Sequence, residues 1–353
     1  MQNRGAVFRL IVSALFCVCV LCYNGYLGLS DTVRAADDWF PAAQSVADVT
    51  KAPEKKTEST KSESTPESSV PTNSTTVTVD PKIIETAAAG TVQGKVSEKF
   101  ITPYTAPLSF DSVYLKNSTS KSIDIQSFLT ENLPYTVQKD GTPQVLILHT
   151  HTTECFLPES RDYYTDKDVS RTRDERYNMV LLGNIVTKKI QDAGFGVVHD
   201  TTVHDYPEYN GSYDRAAETI RKQLKANPSI KIVIDMHRDA ISSENDKTKL
   251  VTEIGGKKAA QIMLVMGCQD GSVTNFPHWQ ENLKLAVRLQ QTVEKMYPTL
   301  ARPLSLMPRK YNENLTTGSL LIETGTDANS IEEAAYSAEL LGDALVQLLE
   351  NIS

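Results

Sequence analysis

Val145-Leu146-Ile147-Leu148-His149-Thr150-His151-Thr152-Thr153-Glu154 is the stretch on which the reading of this chain turns. A short apolar run that breaks into histidines and a carboxylate is the pattern of a buried strand surfacing at its carboxyl end. Working outward, strand-like and helix-like segments alternate. Residues 176–193 place Met179, Leu182, Ile185, Val186 and Ile190 on one side of a helix, and Gly194 closes it. Further strands are expected at 196–199, 231–237, 262–267 and 319–323, and further helices at 213–226, 279–297 and 330–350. Such alternation implies an α/β fold, a mostly parallel sheet flanked by helices on both faces. Residues 255–267 could instead form a hairpin insertion, which leaves the strand order open.

Upstream the composition changes. Residues 36–96 are rich in Ser, Thr, Pro, Glu and Lys, and the run 56–76 has almost no large apolar side chain. A segment of that kind cannot bury enough surface to offset its chain entropy and reads as a disordered tether. Before it, Arg4 and Arg9 precede an apolar stretch at 10–29, about long enough to cross a bilayer. The flanking arginines would stay cytoplasmic and send the rest across. A retained transmembrane helix is preferred here to a cleaved signal peptide, for which Val33-Arg34-Ala35 would serve as the site. The expected organisation is a cytoplasmic N-terminus at 1–9, an anchor at 10–29, a tether at 30–99, a lead-in at 100–144 and a catalytic domain at 145–353.

Charge and cysteine content exclude several classes. With 44 Asp and Glu against 36 Lys and Arg and no basic block, nothing calls for nucleic acid. Three of the five cysteines lie in the apolar N-terminal stretch, leaving Cys155 and Cys268, too few for a disulfide framework. No cysteine pair has zinc-finger spacing, so a metal would need nitrogen and oxygen ligands.

In open α/β sheets, ligands gather at the carboxyl ends of strands. Three expected strands end in suitable groups. The first carries His149, His151 and Glu154, which read either as zinc donors or as loop residues bonded to nearby backbone. The second, 232–239, ends in His237, Arg238 and Asp239, with Asp235 or Asp239 available to hold the second ring nitrogen of His237. The third, 319–323, ends in Glu323, where a carboxylate is expensive without a partner. Beside a metal-bound water it would be a suitable general base. Asn329 or Ser330 reads as the cap of the last helix. His199, His204 and His278 read first as structural.

The motif Glu323-x-Gly325-x-x-x-Asn329 resembles the catalytic end of the zinc N-acetylmuramoyl-L-alanine amidases, and His237 in DMHRDA matches the strand-end histidine of that group. The run HTHTTE, the HRDA motif and the histidine pair at 199–207 resemble, more narrowly, the stage II sporulation protein P family. The likeness spans about residues 145–349. It implies an amidase-like fold and a zinc held by two histidines and a carboxylate, with Glu323 as catalytic base. His149 and His151 compete for the first ligand, His149 being preferred and His151 then falling to substrate. For the carboxylate, Asp174, with Asn178 after it, competes with Glu154. Arg238 is a candidate for a substrate carboxylate. The resemblance further implies a peptidoglycan substrate, an endopeptidase activity on cross-links, and a companion lytic transglycosylase among other sporulation membrane proteins. It implies a single-pass membrane protein facing the cell wall, in the mother-cell engulfing membrane. The rival readings are a zinc peptidase of wall peptides and a non-catalytic tethered scaffold.

Overall fold

The computed structural model describes residues 77–353. In chain order its strands are β1 (Val92–Lys99), β2 (Leu108–Phe110), β3 (Val113–Asn117), β4 (Pro143–Leu148), β5 (Tyr163–Thr165), β6 (Gly196–His199) and β7 (Ile232–Asp239). They continue with β8 (Ser242–Ser243), β9 (Asp246–Ile254), β10 (Lys257–Ala260), β11 (Ile262–Gly267), β12 (Leu304–Met307) and β13 (Ser319–Thr326). The helices are α1 (Pro81–Ala88), α2 (Ile125–Thr130), α3 (Met179–Asp192), α4 (Ser212–Ala226), α5 (Trp279–Met296) and α6 (Ile331–Asn351). An eight-stranded sheet runs β2-β3-β12-β11-β13-β7-β4-β6. Its pairs are parallel except β2 with β3 and β11 with β13.

Side-chain alternation divides this sheet between two cores. Val145 and Ile147 of β4, Ile232, Ile234 and Met236 of β7, and Leu320 and Ile322 of β13 share one core with α3, α5 and α6. Leu146, Leu148 and Val233 point the other way and pack on Ala216 and Ile220 of α4. Because side chains alternate with period two, Asp235, His237 and Glu323 must follow Val233 onto the α4 face. His149 must follow Ile147 toward α3.

A second sheet, β10-β9-β1-β5 with β8 on β9, departs from the expected organisation. The hairpin is β9 with β10, turning at Gly255 and Gly256, both at positive φ. β11 belongs to the main sheet, antiparallel to β13. The expected tether also ends sooner. Residues 77–99 fold into α1 and β1, β1 pairing parallel to β9 and antiparallel to β5. Of β1 only Val96 is buried, so main-chain pairing rather than apolar content orders it, which composition could not show. The expected anchor and the rest of the tether lie outside the described residues, and among the described residues no helix is long and apolar enough to cross a membrane. α3 begins at Met179 because the Asn178 side chain accepts the Val180 amide at 3.0 Å.

The exit of β13 is knotted to the second sheet. Gly325 has φ 62°, and a Cβ there would meet Ala260 and Asn329 at 2.7 Å, so only glycine fits. The buried Asn329 accepts the Thr326 amide (2.9 Å) and the Leu250 amide (3.3 Å). It donates to Leu250 O (3.1 Å) and Glu333 Oε2 (2.9 Å). Glu333 closes a capping box with Ser330, and its other oxygen pairs with buried Lys249 at 2.7 Å. Asn329→Ala would strand several of these groups and is expected to destabilise the protein by about 2–4 kcal/mol. Ser330→Ala is expected to cost about 1 kcal/mol. Denaturant midpoints of the two variants check this ordering.

Candidate active site

The register of β7 and β13 sets His237 directly beside Glu323. Asp235, two residues earlier on the same face, receives the Thr150 amide (2.8 Å) and hydroxyl (2.6 Å). Its Oδ1 lies 3.0 Å from His237 Nε2, close but poorly aligned, so that Nε2 has no hydrogen-bond partner of good geometry. Burial opposes a charge on either member of this pair. The ion-pair contact and the Thr150 hydrogen bonds prevail, holding the Asp235 carboxyl below its usual range. Burial likewise depresses His237, but Asp235, Glu323 and Glu154 together raise it to about 9.

β4 ends at Leu148, and the chain turns there, the Glu154 amide donating to His151 O at 3.2 Å. A continued strand would have placed His149 and His151 on one face. The turn separates them. His151 lies edge-on to the His237 ring, centroids 5.2 Å apart, and stacks on Tyr209 at 4.7 Å. Its Nε2 is 3.2 Å from the Tyr209 hydroxyl and its Nδ1 is 3.4 Å from Ser212 Oγ. Burial, then the charges of His237 and Arg171, lower it to about 2, so the ring is neutral. Glu154 Oε2 accepts the Arg238 amide at 3.2 Å and lies 4.0 Å from His237 Nδ1. Its Oε1 meets Arg171 at 3.4 Å. Glu323 Oε2 is buried with no hydrogen-bond partner. Burial raises this carboxyl to about 8, against the pull of His237.

The structure therefore brings His151, Glu154, His237 and Glu323 together. It places three other expected residues elsewhere. His149 points under α3, its Nε2 2.9 Å from His199 Nε2 and its Nδ1 3.1 Å from Met236 O. Asp174 is partly exposed and pairs with Arg176 at 2.6 Å, while Asn178 acts as a helix cap. The Arg238 guanidinium donates to the carbonyls of Cys155 (2.9 Å), Ser170 (2.8 Å) and Asp239 (3.2 Å), so it clamps the loops. His199 and His204 are structural: His199 Nδ1 meets Asn184 Oδ1 at 3.0 Å, and His204 lies 2.8 Å from His149 O and 2.9 Å from Thr219.

Among the described residues no His, Cys, Asp and Glu side chains stand grouped as three metal ligands. In kind, the donors fit zinc. Two imidazoles and a carboxylate form a common catalytic set, and Glu323 Oε2 beside them is buried with no hydrogen-bond partner. Asp235, Glu323 and Glu154 all act on the one His237 ring, and burial keeps Glu323 from ionising as readily as a free carboxyl. Ligation through His151 would displace either Tyr209 or Ser212.

The family model for stage II sporulation protein P matches residues 33–346. The chain belongs to the stage II sporulation protein P family. It is 29% identical over 215 residues to stage II sporulation protein P of Bacillus subtilis (strain 168), covering 58% of this chain and 50% of that protein. The chain thus spans about half the length of that curated relative. Among solved structures, it resembles the CwlD amidase from Clostridioides difficile at a TM-score of 0.39 and 13% identity, covering 59% of this chain and 98% of that one. It resembles the N-acetylmuramoyl-L-alanine amidase AmiC2 of Nostoc punctiforme at 0.36 and 13%, covering 61% and 97%. Likenesses so distant do not bear on activity.

In this family member the aromatic side of the site is absent from the sequence reading. Tyr209, Ser212 and Tyr213 reach it from the start of α4, and Tyr213 stacks on His237 at 6.2 Å. Tyr311 stands 6.2 Å beyond Tyr213. The signal for the first three was their clustering just after His204, at the head of a helix covering the His237 face.

Glu313 anchors the Tyr311 loop. Its Oε2 accepts the Gly267 amide at 2.7 Å, while Oε1 is buried with no hydrogen-bond partner. Burial pushes this carboxyl well above its usual range, and Asp235 adds to the shift. The folded protein therefore holds a proton that the unfolded chain releases near pH 4.5. Stability from this group is full below that pH and falls as pH rises toward the folded value. Glu313→Gln keeps the acceptor without the charge. It is expected to match wild type at pH 4 and to become progressively more stable than wild type above about pH 5, as measured by urea midpoints against pH.

Proposed function

We propose that this chain is a zinc-dependent peptidoglycan hydrolase that cleaves the amide between N-acetylmuramic acid and L-alanine. The observation that carries this reading is Glu323, a buried carboxylate without a hydrogen-bond partner, in register with His237 at the carboxyl ends of adjacent strands. His151, Glu154 and His237 would hold the zinc. Bound there, it would supply a Lewis acid for the amide carbonyl and lower the pKa of an adjacent water.

The protein's own groups do the rest. Glu323 takes the proton of the attacking water and returns one to the departing alanine amine. Asp235, held by Thr150, orients the His237 ring. Arg171 and the Arg238 amide fix Glu154. Tyr209 and Tyr213 pack around His151 and limit water. A setting outside the cytoplasmic membrane, an anchor at 10–29, action during engulfment, cleavage of cross-links and a companion lytic transglycosylase all belong to this proposal through the family resemblance.

Purified peptidoglycan digested by the full-length protein, with products read by mass spectrometry, tests it. Wild type is expected to release stem peptides with a free alanine amine, a chelator to stop release, and zinc to restore it. Glu323→Gln should lower the rate by about 10²–10⁴-fold. Cleavage confined to bonds within the peptides would make this a wall peptidase. Undiminished release by Glu323→Gln would remove the assigned base.

A further inference from the structure

The loop between β12 and β13 holds two consecutive non-glycine residues in the left-handed region, Tyr311 at φ 50° and Asn312 at φ 59°. Such residues are strained and persist only where their surroundings enforce them. Two anchors do so here. Asn312 Nδ2 donates to Tyr213 O at 2.7 Å, and buried Glu313 holds the Gly267 amide at 2.7 Å. The outcome is a ring placed beside the site: Tyr311 stands 6.2 Å from Tyr213, which stands 6.2 Å from His237. Both tyrosines are partly open to solvent. Burial, then Glu313, push the Tyr311 hydroxyl up to about 12, with Arg309 pulling the other way and Glu323 adding to the rise.

Arg309 differs from the other arginines nearby. Arg171 is paired with Asp205 and Glu154, Arg302 with Asp239, and the guanidiniums of Arg215 and Arg238 are bound to backbone carbonyls. Arg309 is exposed, and among the described residues its side chain makes one hydrogen bond, to the Pro308 carbonyl at 3.5 Å, and no ion pair. A guanidinium is the cation best suited to a planar two-oxygen ligand.

We propose that Tyr213, Arg309 and Tyr311 form a substrate-binding subsite, in which the two tyrosines make a wall for a short peptide and Arg309 takes one of its carboxylates. This rests on the peptidoglycan reading and adds to it the residues that select an acidic stem peptide.

The full-length Glu323→Gln protein, in mild detergent, is titrated calorimetrically with a synthetic muramyl stem peptide. The same compound is then tested with its side-chain and C-terminal carboxyls amidated in turn. Adding Arg309→Gln is expected to weaken binding of the free acid about tenfold or more. It should leave the affinity of one amidated form unchanged, and that form identifies which carboxylate is bound. Arg309→Lys should recover part of the loss, and Lys310→Gln should bind as the parent does. In the protein with Glu323 intact, Arg309→Gln should raise KM more than it lowers kcat. Unchanged affinity in Arg309→Gln, or an equal loss for all three compounds, overturns the subsite while the hydrolase reading stands. No binding of any compound to the Glu323→Gln parent overturns both.

Discussion

Two buried strands lie side by side in parallel register, and that register determines where chemistry can occur in this protein. β7 and β13 each send their even-numbered apolar residues into the core shared with α3, α5 and α6. Period two then leaves Asp235, His237 and Glu323 on the opposite face, with His237 and Glu323 as register partners. A one-residue slip of either strand would put an ionisable side chain into the larger core and an aliphatic one into the site. The apolar packing on one face thus holds the polar constellation on the other.

That constellation is costly as it stands. Glu154, Asp235 and Glu323 are all buried, and His237 is the imidazole they share. Removing a carboxylate from water without full compensation costs several kcal/mol. The protein meets part of this with the Thr150 hydrogen bonds to Asp235 and with Arg171 beside Glu154, and leaves Glu323 Oε2 without a partner. Rigidity comes from just beyond the site. Gly325 lets β13 turn where any side chain would collide, and Asn329 ties that turn to β9 and to the cap of α6. The Glu-x-Gly-x-x-x-Asn spacing therefore has a physical content of one strand-end carboxyl followed by the two residues that fix its strand end.

Much of this was legible before the coordinates. Short apolar runs located the main-sheet strands β4, β6, β7, β11 and β13, and 3.6-residue spacing the helices α3 to α6, to within a few residues. His237 and Glu323 were found by position at strand ends. What failed to show in sequence has three causes. The choice between His149 and His151 depends on where β4 stops, and a turn bonded through Glu154 N is a three-dimensional fact. Asp174 stands apart from the group, paired with Arg176 ahead of the helix-capping Asn178, and the Arg238 guanidinium is bonded to carbonyls of distant loops, neither of which the sequence marks. The folding of residues 77–99 rests on main-chain pairing, which leaves no mark in composition.

The proposed function depends most on which side chains would hold a zinc ion. Zinc content of the full-length protein, measured by plasma mass spectrometry after removal of free metal, tests this without reference to turnover. About one zinc per chain is expected in wild type and in Asp174→Ala, with His151→Ala, Glu154→Ala and His237→Ala each losing it while keeping the wild-type circular dichroism spectrum. Zinc retained by Glu154→Ala and lost from Asp174→Ala would contradict the assignment and return the carboxylate ligand to the start of α3.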